Sequence, residues 1–282
     1  MTHTTLVSSA ELAAHLDDPA WVVFDCRHDL ANPASGEQDY ARAHIPGASF
    51  LHLDRDLAAP RTGKNGRHAL PDPLMFTRTL EAAGVGANTQ VVAYDAVAGV
   101  YAARLWWMLR WLGHEAVAVL DGGYAKWTRE SRPVTSALPQ RNIVGFSGRP
   151  RPLAVDASDI LRSLGQRSHV VIDARAPDRY RGENETLDPV GGRIPGALNR
   201  FFRDNLDASG CFKPADELRQ VFGALLGDTP PPTVVHSCGS GVSACHNLLA
   251  MEIAGLCGSR LYPGSWSEWC SDPARPIARG EP

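Results

Sequence analysis

Thr233-Val234-Val235-His236-Ser237-Cys238, followed by Gly239-Ser240-Gly241-Val242-Ser243, reads as a short apolar strand running through a glycine loop into a helix-like stretch that extends to Ala254. The same alternation occurs earlier, where the β-rich runs Val91–Tyr94 and Ala116–Leu120 flank the helix-like Ala102–Leu112. Short buried strands separated by amphipathic helices predict a mostly parallel sheet covered on both faces. In such α/β sheets ligands sit at the carboxyl ends of strands, where loops lead into helices. Cys238 stands at such an end.

The pattern is written twice. Gln90-Val91-Val92-Ala93-Tyr94-Asp95 lines up with Thr233–Cys238, and Trp21-Val22-Val23-Phe24-Asp25-Cys26-Arg27 with Val170-Val171-Ile172-Asp173-Ala174-Arg175. His44-Ile45-Pro46-Gly47-Ala48 matches Arg193-Ile194-Pro195-Gly196-Ala197, and Asp121-Gly122-Gly123-Tyr124-Ala125-Lys126-Trp127 matches Pro263-Gly264-Ser265-Trp266-Ser267-Glu268-Trp269. A duplicated unit fixes the domain expectation: an N-terminal α/β domain over 1–137, a linker over 138–152 and a C-terminal α/β domain over 153–282. The stretch Pro133–Pro152, with four prolines and two glycines, supplies the linker. A chain of 282 residues, 44% hydrophobic and 21% charged, has material for two cores.

Composition also excludes partners. A formal charge of −3 provides no basic field for nucleic acid, and no segment approaches a membrane span. The N-terminus lacks the basic stretch and apolar run of a secretory signal. Six cysteines are scattered without a CxxC pair or a dense disulfide framework, which fits reduced thiols and a cytoplasmic location. No His, Cys and carboxylate set has zinc-ligand spacing and no phosphate fingerprint occurs, so neither metal nor cofactor is expected.

The loop itself points to chemistry. Gly239 and Gly241 permit positive φ, so loop amides can converge on the sulfur, and the helix start adds a positive end. Both favour a thiolate and would hold a negative persulfide. A cysteine that only packs has no need of such a loop, and packing is the reading for the other five.

Together, loop and duplicated landmarks resemble the tandem-domain rhodanese and 3-mercaptopyruvate sulfurtransferase family, over nearly the whole chain. The resemblance implies two rhodanese-like domains, a nucleophilic Cys238 in the second, and a silent first copy with Asp95 at the equivalent site. Family members acting on thiosulfate carry Arg and Lys after the Cys, whereas mercaptopyruvate enzymes carry Gly and Ser, as here. Ser243 stands where the family usually has Thr. Related phosphatases close a longer loop with an Arg, and Ala244 occupies that position. The implied activity moves sulfur from 3-mercaptopyruvate through a Cys238 persulfide to a thiol such as thioredoxin, a small thiol, or cyanide. Thiosulfate as donor, or a non-catalytic sulfur-carrying module, are the alternatives.

Resemblance also assigns the cradle. Arg179, in Asp178-Arg179-Tyr180-Arg181-Gly182-Glu183, is expected to bind the substrate carboxylate, against a competing ion pair with Glu183 or Glu185. The family's second substrate Arg falls at Asp188, so Arg193 is expected to supply that cation or to pair with Asp188. The loop residues Gly239, Gly241, Val242 and Ser243 line the substrate. Asp54 and His68 of the first copy match positions that act with Ser240 as a proton relay across the domain interface. Asp25–Arg27 and Asp173–Arg175 recur in both copies and are read as braces, as are Trp127, Trp266 and Trp269. Trp106, Trp107 and Trp111 are read as core or interface.

Overall fold

The computed structural model describes residues 2–166 and 168–281. The chain divides into two compact units, Met1–Ala59 with Pro71–Arg151 and Ala208–Phe212, and Pro60–Leu70 with Pro152–Asp207 and Lys213–Pro282. Two segments therefore lie outside the unit their sequence position suggests. Pro60–Leu70 packs with the second unit, where the Arg67 amide donates to Ser267 Oγ at 2.9 Å. The stretch expected to be a linker carries neither helix nor strand over 138–151 and is fastened to the first unit. Arg141 donates to the Gly47 carbonyl there, and the Phe146 amide to Glu81.

The first unit runs β1 (Leu6–Val7), α1 (Ser9–Ala14), β2 (Trp21–Asp25), α2 (Ser35–Arg42), β3 (Ala48–Phe50), α3 (Leu53–Asp56), α4 (Pro73–Ala82), β4 (Gln90–Tyr94), α5 (Val100–Trp111), β5 (Val117–Leu120) and α6 (Gly123–Arg129). Its strands pair in the order β1-β5-β4-β2-β3, all parallel. The second unit runs α7 (Ala157–Gln166), β6 (Val170–Asp173), α8 (Pro177–Arg181), β7 (Leu198–Asn199), α9 (Ala215–Leu226), β8 (Val234–Ser237), α10 (Ser243–Ile253), β9 (Arg260–Leu261) and α11 (Ser265–Trp269). Here too the pairing is parallel, in the order β7-β6-β8-β9. The sheet expectation of two mostly parallel α/β units is met.

Local chemistry explains the elements. β2, β4 and β8 are Val-rich and buried along their whole length, as central parallel strands covered on both faces must be. Ser8 and Glu11 form a reciprocal capping box for α1, and Asp72 caps α4 ahead of Pro73. Trp106, Trp107 and Trp111 are buried in α5. Each unit has its own core, built on Val23, Ile45, Val92 and Trp127 in the first and on Ile160, Val171, Ile194 and Trp269 in the second. Among the described residues no helix is long and apolar enough to cross a membrane, and all six cysteines are free thiols.

The duplication extends to individual hydrogen bonds. Asp25 holds the Arg27 guanidinium through Nε and Nη2, and Arg27 passes Nη2 to the Ala43 carbonyl just before His44. Asp173 holds Arg175 in the same way, and Arg175 reaches the Gly192 carbonyl just before Arg193. His44 then pairs by backbone with Thr135, and Arg193 with Ala278. Trp127 and Trp269 donate their indole N–H to the carbonyls of Pro133 and Pro276. These residues brace the fold, as their recurrence in both copies implies.

Burial makes two polar groups, Asp25 and His236, sensitive probes of stability. Asp25 is fully buried and also accepts from the Tyr94 hydroxyl, so Asp25→Ala leaves Arg27 without its counter-ion; calorimetry should find the first unit destabilised by about 3–5 kcal/mol. His236, buried in β8, is pushed by burial down to about 3. The unfolded chain takes up that proton near pH 6.5, so acidification between those values favours unfolding, and His236→Leu should flatten the fall in melting temperature over that window.

Candidate active site

Strand β8 delivers Cys238 to the carboxyl edge of the second sheet, with its side chain almost fully buried at 1% exposure. Gly241 turns the loop at φ +77°, and a Cβ there would lie 2.3 Å from the Pro263 carbonyl oxygen, so only glycine fits. The turn sends the Gly241 N–H to Cys238 Sγ at 3.1 Å. Gly239 does not adopt positive φ; its lack of a side chain serves close approach instead. Val242 and Ser243 open α10. Behind them Cys245 donates its S–H to the Gly241 carbonyl at 3.4 Å, a packing role that steadies the turn.

The first turn of α11 holds the loop from the other side. Ser265 Oγ accepts from the Cys238 N–H at 3.1 Å and donates to the Tyr262 carbonyl, while the amides of Trp266 and Ser267 donate to the carbonyls of Cys238 and Gly239. Ser265 does this at φ +52°, a left-handed conformation that its counterpart Gly123 adopts in the first unit at φ +55°.

The first unit closes its equivalent loop. Asp95 accepts from the backbone N–H groups of Val97 and Gly99 on one oxygen and of Tyr101 and Ala102 on the other, at 2.7–2.9 Å. The donors that would cradle an external anion are occupied by the chain's own carboxylate.

Over Gly239 stand two guanidinium groups. A Cβ built on Gly239 would lie 3.2 Å from Arg67 Nη2 and 3.6 and 3.8 Å from Arg179 Nη2 and Nη1. Each is backed by a buried carboxylate. Arg67 pairs with Asp188 at 2.6 Å, and Arg179 donates Nε and Nη2 to Glu185 at 3.2 and 2.8 Å, with Asp188 3.7 Å away. Glu185 also lies 3.4 Å from Arg175. Burial opposes its charge, but the Arg179 hydrogen bonds and the N–H groups of Leu187 and Asp188 outweigh this and lower its pKa. For Arg175 burial likewise opposes the charge, and Asp173, Glu185 and the Cys238 sulfur overcome it. Arg175 therefore does more than brace the fold.

Beside the loop, His68 Nδ1 and Ser240 Oγ are hydrogen-bonded at 2.7 Å, both buried. His68 was expected to reach Ser240 from the first domain, but Pro60–Leu70 is part of the second unit, so this pair forms within one unit. Asp54 lies in the first unit on α3, close to His28 and His52. One ligand atom from each of these three lies within 4.8 Å of the others, a grouping their sequence spacing did not reveal. His52 Nδ1 already accepts the Asp54 N–H and its Nε2 faces the Pro33 carbonyl, so neither nitrogen stands ready for a metal.

Arg193 has other partners than the expected ones. Its guanidinium donates to the carbonyls of Gly280 and Glu281 and lies over the Tyr180 ring at 4.6 Å, so it clasps the C-terminal segment. Asp188 pairs with Arg67 instead. Sequence reasoning missed Arg67, although it adjoins His68 in Gly66-Arg67-His68, and it missed Ser265, aligned to a glycine that the first unit holds at positive φ.

The family model for the rhodanese-like domain matches residues 8–130 and again 156–272. A Pseudomonas aeruginosa protein named "Probable 3-mercaptopyruvate sulfurtransferase" is 46% identical over the full length of both chains. The human 3-mercaptopyruvate sulfurtransferase is 39% identical, over 82% of this chain and 78% of that protein. The crystal structure of Escherichia coli SseA, a 3-mercaptopyruvate sulfotransferase of rhodanese fold, superposes with a TM-score of 0.81 at 32% identity, covering 94% of this chain and 99% of SseA. The chain belongs to the tandem-domain rhodanese and 3-mercaptopyruvate sulfurtransferase family, and it is a sulfurtransferase.

Proposed function

We propose that Cys238 accepts sulfur from 3-mercaptopyruvate and passes it as a persulfide to a thiol acceptor, thioredoxin or a small thiol, with cyanide as an artificial one. The observation that carries the proposal is the pairing of a sulfur that accepts the Gly241 N–H with two arginines over Gly239. A nucleophilic thiolate beside a carboxylate clamp and a hydroxyl–imidazole pair suits an α-keto acid that carries a thiol.

The donor carboxylate would bind the Nη groups of Arg67 and Arg179, and its keto oxygen the Ser240 hydroxyl. Cys238 thiolate attacks the donor sulfur, a new S–S bond forms, and the C–S bond breaks with its electron pair going to carbon as the pyruvate enolate. The proton from the donor thiol returns to that carbon through Ser240 and His68, giving pyruvate and a deprotonated Cys238 persulfide. The loop N–H groups of Gly239, Gly241, Val242 and Ser243 would then stabilise the outer sulfur. A second thiolate takes that sulfur and restores Cys238. Asp54 enters the relay on the family resemblance, and Asp54→Asn is expected to lower kcat for mercaptopyruvate. Six free thiols suit a reducing compartment, and we place the protein in the cytoplasm.

Intact mass after donor treatment and desalting should rise by one sulfur in the wild type and not in Cys238→Ser; sulfur retained by the variant, or none taken up by the wild type, removes the proposal. On one preparation, kcat/KM for mercaptopyruvate should exceed that for thiosulfate, and the reverse order by tenfold would reassign the donor.

Arg67→Gln should raise KM for mercaptopyruvate about 10- to 100-fold, the loss of one charge-assisted hydrogen bond to a carboxylate. Ser240→Ala should instead lower kcat by about 10²-fold with a smaller change in KM. Equal effects of both variants on KM alone would take Ser240 out of the proton relay.

A further inference from the structure

Resting on that reading of the donor, we infer that Asp188 and Glu185 are positioning residues that set donor specificity, by cancelling the charge of the arginines they orient. Around the site stand three guanidinium groups, Arg67, Arg175 and Arg179, and three carboxylates, Asp173, Glu185 and Asp188, all joined by ion pairs of 2.6–3.7 Å. Their formal charges sum to zero. The side chains of Asp173, Glu185 and Asp188 are only 3–5% exposed, so water does little to screen them.

Orientation comes first. Arg67 directs Nη1 and Nη2 to Asp188 and Arg179 directs Nε and Nη2 to Glu185, which leaves the second N–H of Arg67 Nη2 and the Nη1 group of Arg179 on the side of Gly239, 3.2 and 3.8 Å from a Cβ built there, where a donor must sit to meet Cys238. A carboxylate behind each guanidinium fixes its plane while leaving hydrogen-bond donors in front.

The cancelled charge then discriminates. 3-Mercaptopyruvate brings a single carboxylate charge, which two forked donors can meet by hydrogen bonding. Thiosulfate brings two negative charges to a neutral cradle that already faces the Cys238 thiolate. In a buried site the second charge has no counter-ion, and like charges at short range are expensive there. Had the arginines stood without Asp188 and Glu185, the same pocket would favour the dianion.

The test measures kcat/KM for both donors, with cyanide as acceptor, in wild type, Asp188→Asn and Asp188→Glu. Removing the charge in Asp188→Asn should shift the thiosulfate-to-mercaptopyruvate ratio toward thiosulfate by about tenfold, whatever happens to each value alone. Asp188→Glu, which keeps the charge, should hold the wild-type ratio. A loose fold lowers both donors alike and leaves the ratio still, so an unmoved ratio in Asp188→Asn overturns the inference, as does an equal shift in Asp188→Glu. Should Asp188→Asn not fold, Glu185→Gln should show the same tenfold shift, and an unmoved ratio there overturns the inference equally. Failure of wild-type Cys238 to take sulfur from mercaptopyruvate would instead sink the donor assignment itself.

Discussion

Backbone N–H groups gathered at the end of a buried central strand require an electron-rich atom among them, because a buried donor left without an acceptor costs about 1–3 kcal/mol. The two halves of this chain meet that requirement with different atoms. After β4 the atoms are the two oxygens of Asp95, which take four N–H groups and fill the nest. After β8 the atom is the Cys238 sulfur, which takes the Gly241 N–H. A carboxylate cannot gain or lose a sulfur, whereas a thiolate can, so one exchange of side chain at the strand end separates a closed loop from a reactive one. Everything else at the site serves to hold that sulfur in place and to keep charged groups correctly aimed.

The brace behind the strand ends shows how a shared scaffold acquires local function. In both units an aspartate grips an arginine that reaches a carbonyl ahead of the Ile-Pro-Gly-Ala turn. In the first unit that arginine finishes over the Tyr124 ring at 4.2 Å. In the second it lies over Trp266 at 4.9 Å and also meets Glu185, the carboxylate that orients Arg179. The loop 183–188 has thus tied a structural ion pair into the substrate cradle. Removing Glu185 would strip two arginines at once, which makes the cradle a network rather than a set of independent contacts.

What could be read from the sequence was whatever is local or repeated. The alternation of apolar runs with helix-like stretches marked the parallel sheets, and the glycine loop between strand and helix marked Cys238, because both depend on neighbours in the chain. The fate of Arg193 was latent in the repeat: its counterpart His44 pairs with Thr135 just as Arg193 pairs with Ala278, which points both side chains at a returning segment. Arg67 was not legible. Its place over Gly239 follows from Pro60–Leu70 packing with the second unit, a tertiary choice that no periodicity in that glycine- and proline-punctuated stretch announces. The two loop glycines looked equivalent, yet Gly241 is needed for its φ and Gly239 for the approach of the arginines.

Ser265 places a local strain where the loop is held. A non-glycine residue in the left-handed region costs on the order of 1–2 kcal/mol, a cost that Gly123 does not carry in the first unit. The Ser265 hydroxyl offsets it by accepting the buried Cys238 N–H, which would otherwise go unpaired at a similar cost. With magnitudes this close, geometry decides. The amides of Trp266 and Ser267 take the carbonyls of Cys238 and Gly239, and because peptide units are planar, the N–H groups of Gly239 and Ser240 must then turn to the opposite side of the loop. The strained turn at Ser265 therefore fixes which way the loop amides face before any donor arrives, so the loop needs little reorganisation as charge moves onto sulfur.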